Sequence, residues 1–274
     1  MFIGRECYKH TDTLSQLLFD SNIRAKASSK WLQPLLKVYV FMFGVPEIGL
    51  QLRASYFRKN VACISFNRAL DAGCGIGLNS IYLAKKHPSA MIDACDIMPK
   101  LVQAASLLRD DQRLNNLAIF SADLTQLAVV NKYDLIFCLD AIEHIPDDIL
   151  VFEKFKLALK EGGLLVLSTP HKRHVKRRFK GIHYDSLDHV RDGYTEDELR
   201  RILQTQGFDF KECYYGWGFW GEYCDELYHW TLLHLPRLMF AFIFPILSVF
   251  SSLDLLMKNQ QGYWIMVKAQ KKNN

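Results

Sequence analysis

The chain has 274 residues, half of them hydrophobic and 23% charged, a composition that excludes a disordered or fibrous chain. That length can bury a sizeable core and suits one α/β domain with additions better than two independent domains. A formal net charge of +5 is too small to imply a nucleic-acid partner by itself, so the local placement of charge matters more.

Seven cysteines, an odd number with no Cys-x-x-Cys pair, read as reduced core residues rather than a disulfide frame or zinc site. The N-terminus, Met1-Phe-Ile-Gly-Arg-Glu-Cys7, lacks the basic-then-apolar layout of a secretory signal. Both readings point to the cytosol. Residues 1–60 read as a helical cap. Leu14, Leu17 and Leu18 share one helical face, and a more apolar run from Leu35 to Leu52 is broken by Gly44, Pro46 and Gly49.

At Arg68 the pattern changes. Arg68-Ala-Leu-Asp-Ala-Gly-Cys-Gly-Ile-Gly-Leu-Asn79 reads as a short apolar strand, a glycine turn and the start of a helix. Gly73, Gly75 and Gly77 allow a tight turn and close backbone approach to a ligand. The helix carries Ile81, Leu83 and Ala84, closes at Lys85, Lys86 and His87, and meets a stop signal in Pro88. A second strand, Ala90-Met-Ile-Asp-Ala-Cys-Asp96, ends in an acidic residue 19 positions after Gly77. A carboxylate there can accept hydrogen bonds from both hydroxyls of a ribose. A third segment, Ala118-Ile-Phe-Ser-Ala-Asp123, and a fourth, Tyr133-Asp-Leu-Ile-Phe-Cys-Leu-Asp140, also end in carboxylates. The glycine spacing departs from Gly-x-Gly-x-x-Gly, which argues against a nicotinamide enzyme.

Helices fit between these strands. One opens with Pro99 and carries Leu101, Val102, Ala105 and Leu108; another has Asp147 and Asp148 in its first turn and Gly162-Gly163 after its end. Leu159 to Ser168 reads as a fifth strand. Thr195-Glu-Asp-Glu198 is a capping box for a helix with Leu199, Ile202 and Leu203 on its apolar face and Gly207 as its stop. Phe208 to Tyr215 and Tyr263 to Ala269 supply two terminal strands. The alternation implies a parallel sheet with right-handed crossovers and a ligand crevice at the carboxyl ends of its strands.

Five ordered motifs over residues 60–215 resemble the class I S-adenosylmethionine-dependent methyltransferases. They are the Asp-x-Gly-x-Gly-x-Gly turn from Asp71, the acidic end at Asp96, Ser121-Ala-Asp123, Tyr133 to Phe137 followed by Ile142-Glu-His144, and Leu159 to Ser168. The resemblance implies a Rossmann-like, seven-stranded, mostly parallel sheet with helices on both faces and an antiparallel last strand. It divides the chain into an N-terminal cap at 1–60 and a methyltransferase domain at 61–274, with a basic loop at 172–194 and an apolar helical insertion at 218–258.

The implied cofactor is S-adenosyl-L-methionine. Carried over by position, Gly73, Gly75 and Gly77 would line its methionine part, Asp71 would fix the turn or the donor amino group, and Asp96 would take the ribose. Asp123 would accept from the adenine amino group, with Ala122 and Leu124 adding backbone or apolar contacts; Ala72, Ile97 and Leu139 complete the donor surface. Arg53, Tyr56 and Arg58 could meet the donor carboxylate or simply carry solvent-facing polar groups. A hydroxyl acceptor needs a base, for which His144 and His189 are the first candidates and His171 and His183 the next.

Asp140-Ala-Ile-Glu143-His144 is also similar to the acidic-x-x-Glu-His segment of ubiquinone-pathway O-methyltransferases, where such residues can hold a divalent cation. Here the first position is Asp rather than Glu, and no metal is expected; Glu143 would otherwise start a helix.

Two insertions depart from the minimal fold. Lys172-Arg-His-Val-Lys-Arg-Arg-Phe-Lys180 holds six Lys or Arg in nine residues, either a solvated loop or a contact for phosphate-bearing substrates or an anionic membrane. Leu238 to Phe250 is charge-free, but thirteen residues interrupted by Pro245 fall short of the roughly 20 that span a bilayer. A packed helical hairpin, a homodimer face and an interfacial segment are its readings. The expected activity is methyl transfer, at oxygen, to a small or amphipathic acceptor: lipid-linked, quinone-like or glycan. The chain would be cytoplasmic, with peripheral membrane contact through 231–257 and 172–180. A non-catalytic donor-binding module and a nucleic-acid methyltransferase are the alternatives. Leu139-Asp-Ala-Ile142 stands where a base-flipping enzyme would carry Asn-Pro-Pro-Tyr, which disfavours the second.

Overall fold

The computed structural model describes residues 2–11, 14, 33–61, 63–172 and 190–273. In chain order the helices are α1 (Gln33–Phe43), α2 (Ile48–Val61), α3 (Leu78–Lys86), α4 (Pro99–Asp111), α5 (Asp148–Ala158), α6 (Glu196–Thr205), α7 (Phe219–His234) and α8 (Arg237–Ser251). The strands are β1 (Arg68–Ala72), β2 (Met91–Asp96), β3 (Leu117–Ser121), β4 (Tyr133–Leu139), β5 (Leu159–Pro170), β6 (Phe208–Gly216) and β7 (Trp264–Lys271).

These elements form two compact units. One draws on the described residues of Met1–Asn60 and Gly216–Asn259, the other on those of Val61–His174, Ser186–Tyr215 and Gln260–Asn274. The apolar insertion therefore clusters with the N-terminal residues, not with the 61–274 block in which the sequence places it.

In the sheet unit the strand order is β3-β2-β1-β4-β5-β7-β6. β1 to β5 pair in parallel, and β7 runs antiparallel to β5 with Ser168 opposite Met266. Right-handed crossovers leave β1 in one direction and β4 in the other, which puts helices on both faces. β4 is buried from Leu135 through Cys138, as expected of a strand covered on both sides. Ile136 and Cys138 join Leu70, Phe152, Phe155, Leu165 and Val267 in the core. A buried carboxylate adjoins it through the Tyr133 hydroxyl. Asp93 is buried, and although burial opposes its charge, Lys132, the Tyr133 hydroxyl at 2.9 Å and Arg68 hold its carboxyl below the usual range. The capping box of α6 forms in both directions between Thr195 and Glu198.

In the helical unit, α1 ends at Gly44, whose φ is +70° and where a Cβ would lie 2.0 Å from the Ile3 carbonyl oxygen. Only glycine fits that approach. The buried Gln51 side chain then staples the turn, donating to the Ile3 and Val45 carbonyls and accepting from Ile3 N at 2.7 Å. Gly49, read from sequence as a third break, lies inside α2, because Glu47 accepts from Leu50 N at 2.5 Å and starts the helix just before it. Leu14 is buried; Leu17 and Leu18 lie outside the described residues.

Pro245 does not interrupt α8. A proline removes the amide that would bond Ala241 O, and the Tyr39 hydroxyl donates to that carbonyl at 3.0 Å instead. Likewise α7 begins after Gly218, which has no capping side chain, and Asp254 from a later 3-10 turn accepts from Gly218 N at 2.5 Å and Trp220 N at 3.2 Å.

Candidate active site

β1 and β4 are neighbours although β2 and β3 lie between them in sequence, and at such a reversal the carboxyl ends of the strands open a crevice. The glycine turn begins there. Gly73 N and Cys74 N both donate to Cys95 O at 2.9 Å, tying the turn to the end of β2. Gly75 N and Met98 N donate at 2.9 Å to the two carboxylate oxygens of Asp96, one each. Gly75 has φ +56°, and a Cβ there would meet nothing within 4 Å; a side chain would fill this cradle. At Gly73, with φ +83°, a Cβ would come within 2.6 Å of the Ala141 Cβ, so the segment after β4 can close on the turn only because residue 73 is glycine.

Asp71 is buried and accepts from the Ser80 hydroxyl of α3. Burial pushes its carboxyl up to about 7, with the Ser80 bond opposing and the Asp96 charge adding. It thereby joins strand to helix under the turn. Ala72 is buried in β1. At the end of β3, Ala122 N donates to Asp96 O at 3.1 Å. Asp123 Oδ1 accepts from Thr125 N at 2.9 Å and Thr125 Oγ1 at 2.7 Å, capping a 3-10 turn over Leu124–Gln126. Leu124 itself packs in the core at 6% exposure. Beside Asp96, Ile97 is 64% and Met98 51% exposed.

Beyond the half-buried Leu139, Asp140 takes φ +51°. Its Oδ1 accepts from Trp264 Nε1 at 2.6 Å and Ser168 Oγ at 3.2 Å. Ile142–His144 forms a 3-10 turn in which Glu143 is buried and His144 exposed. Glu143 is thus not the helix-start residue; Asp147 caps α5 by accepting from Leu150 N at 3.2 Å. Asp148, also buried, holds Arg191 and accepts from the Tyr194 hydroxyl at 2.6 Å, while Arg191 donates to Ile145 O and Pro146 O at 2.9 Å. Those bonds anchor the approach to α6 against the turn that carries His144. His171 Nδ1 lies 2.9 Å from Gly262 O and its ring meets Tyr215 edge-on.

His183, His189 and residues 173–180 of the basic loop lie outside the described residues. Among the described residues no group of three or more His, Cys, Asp or Glu is arranged to hold a metal. The seven cysteines are free thiols, and burial pushes Cys95 up to about 12. Sequence reasoning missed Ser80, Met98, Ser168, Arg191 and Trp264. Met98 could have been found, since it is the second of two apolar residues that follow an acidic strand end. Trp264 could not, because only the insertion of β7 beside β5 brings it to Asp140.

A sheet in this order, with a carboxylate closing the second strand onto a glycine turn, defines the class I S-adenosylmethionine-dependent methyltransferase architecture. A family model described as a methyltransferase domain matches residues 49–212, more than half of the chain. The chain belongs to that family. It is 32% identical over 124 residues to a ubiquinone biosynthesis O-methyltransferase of Xylella fastidiosa, covering 43% of this chain and 47% of that protein. The match thus spans about half the length of the curated relative. Among solved structures, the O-methyltransferase of a trans-AT polyketide synthase from Brevibacillus brevis, in complex with S-adenosyl-L-homocysteine, aligns at TM-score 0.56 and 17% identity over 93% of this chain and 80% of that one. The cyclase SpnF aligns at TM-score 0.56 and 15% identity over 82% and 81%. The fold is therefore shared with a protein named for a different reaction, and the chemistry rests on the site.

Proposed function

We propose that the chain transfers a methyl group from S-adenosyl-L-methionine to an oxygen of an amphipathic, quinone-like acceptor. The observation that carries the donor assignment is the Asp96 carboxylate, held by Gly75 N and Met98 N beside the open cradle over Gly75 and the exposed Ile97. Family membership and the name of the Xylella relative support methyl transfer to oxygen.

The residues suit such a donor. Gly73 to Gly77 would line its methionine part, and the remaining lone pairs of Asp96 would accept from the ribose hydroxyls. Ile97 and Met98 would cover the adenine, whose amino group would reach Asp123. When bound, the donor supplies an activated methyl on a sulfonium, so catalysis is chiefly placement. An acceptor hydroxyl must still lose its proton, and the exposed His144 is the described residue proposed to take it, with His189 second. Asp140, fixed by Trp264 and Ser168, would form the wall against which the acceptor is set.

The test is transfer of labelled methyl into an extract of the source cell, separated into lipid, polymer, nucleic-acid and small-molecule fractions. Label is expected in the lipid fraction, absent with Asp96→Ala and reduced about 100-fold with His144→Ala. Binding of S-adenosyl-homocysteine without label in any fraction would leave a donor-binding module and overturn the transfer reading. Label confined to nucleic acid would overturn the acceptor.

A further inference from the structure

Large exposed apolar side chains crowd two helices of the helical unit. On α8, Met239, Phe242, Ile246, Val249 and Phe250 are 47% to 70% exposed, and helical geometry gathers them into an arc of about 100°. The opposite side of the same helix, with Phe240, Phe244, Leu247, Ser248 and Ser251, is buried. There Phe240 and Phe244 pack against Tyr228 of α7 at 5.5 and 6.2 Å between ring centroids. α1 repeats the arrangement: Leu35, Val38, Phe41 and Met42 are 49% to 67% exposed within about 120°. Tyr39 links the two helices through the Ala241 carbonyl and its ring contact with Phe244.

Among the described residues, the exposed charges beside these faces are mainly cationic: Arg5 and Lys9 stand exposed on the turn before α1, where Glu6 is half-buried. Neither α1 nor α8 contains an acidic residue. The Arg5 guanidinium lies over the Phe41 ring at 4.9 Å, Lys59 donates to the Leu255 carbonyl, and exposed Lys258 follows Leu256, itself 84% exposed. Apolar side chains rimmed by cations match a bilayer surface with anionic headgroups, in which the rings enter the acyl boundary and the cations stay at the phosphates.

We propose that the exposed faces of α1 and α8 dock the chain on an anionic phospholipid surface, the helices lying in the interface rather than crossing it. By length and composition alone, Gln33–Val61 and Met239–Leu256 are apolar enough to span, the latter at mean hydropathy 2.0 over 18 residues. The packing separates the two modes: Phe240, Ala241 and Phe244 of α8 are committed to Tyr228 and Tyr39, and a spanning helix would surrender those contacts to lipid. Docking through these faces is independent of which acceptor is methylated.

Flotation of the full chain with phosphatidylcholine vesicles, with and without phosphatidylserine, tests it. The wild type is expected to float with the anionic vesicles and to be released by salt. Phe242→Ser with Ile246→Ser and Val249→Ser should weaken flotation about tenfold or more, and Arg5→Glu with Lys258→Glu should remove the preference for anionic lipid. Calorimetric binding of S-adenosyl-homocysteine by each variant shows that the fold survives, and its absence in the wild type would fault the donor reading instead. Equal flotation on neutral vesicles would overturn the anionic surface, and resistance to alkaline carbonate would overturn the interfacial mode. A soluble dimer that the triple variant turns into monomer would place a second copy, not lipid, on this face.

Discussion

In the sheet unit, the exposed apolar residues beside the crevice are Ile97 and Met98, set against the Asp96 carboxylate, whereas in the helical unit they run unbroken along one side of α1 and of α8. The carboxylates differ as well. Asp96 and Asp123 hold backbone amides at an opening, each with acceptor capacity left over, while Asp254 is wholly buried and spends its oxygens on the start of α7. The contrast separates a polar pocket that recognises one small molecule from an apolar surface that suits an extended phase. Perturbing one unit should leave the other's behaviour in place.

The largest expected effect is on pH dependence in the sheet unit. Asp71 has its folded carboxyl raised from 3.8 to about 7, so the folded state binds the extra proton across that window. Its contribution to stability is fully present below about 3.8 and lost as pH rises through about 7, a span on the order of 4 kcal/mol. Asp71→Asn should therefore flatten the fall in stability between those limits, as read by urea denaturation at a series of pH values. An unchanged slope would mean that the burial of this carboxyl is relieved by water.

Next comes the helical unit. Asp254→Ala strands the amides of Gly218 and Trp220, and buried unsatisfied groups cost about 1–3 kcal/mol each. Hydrogen exchange should accelerate in α7 while β1 and β4 keep their protection; equal loss in both would erase the comparison, since the chain would then unfold as one body. The smallest change sharpens the crevice itself. Trp264→Phe removes the indole donor to Asp140, a bond to a charged group that contributes about 1.5–3 kcal/mol when fully formed. Methyl transfer should fall several-fold in kcat while affinity for S-adenosyl-homocysteine holds; a fall in affinity alone would place Asp140 on the donor side.

Much of the sheet unit was legible because its signals are local. Strand, glycine turn and helix follow one another within Arg68 to Lys86, and the capping box at Thr195 is contained in four residues. The helical unit was less so. Gly49 and Pro245 read as breaks by propensity, yet Glu47 and Tyr39 supply what each helix needed. Leu124 reads as a backbone or apolar contact by its place in a motif, and that its side chain packs in the core shows only in the fold.

By itself the sequence determined the order of elements, the glycine turn and the carboxylates at the ends of the second and third strands, because the spacing of a few neighbouring residues suffices for each. Tertiary structure alone decided that Trp264 meets Asp140 across 124 positions and that Tyr39 mends α8 across 202. It also decided that the exposed faces of α1 and α8 belong to one unit. Those pairings form only when the chain closes on itself, and no local pattern encodes which distant group will satisfy a freed carbonyl or a half-buried carboxylate.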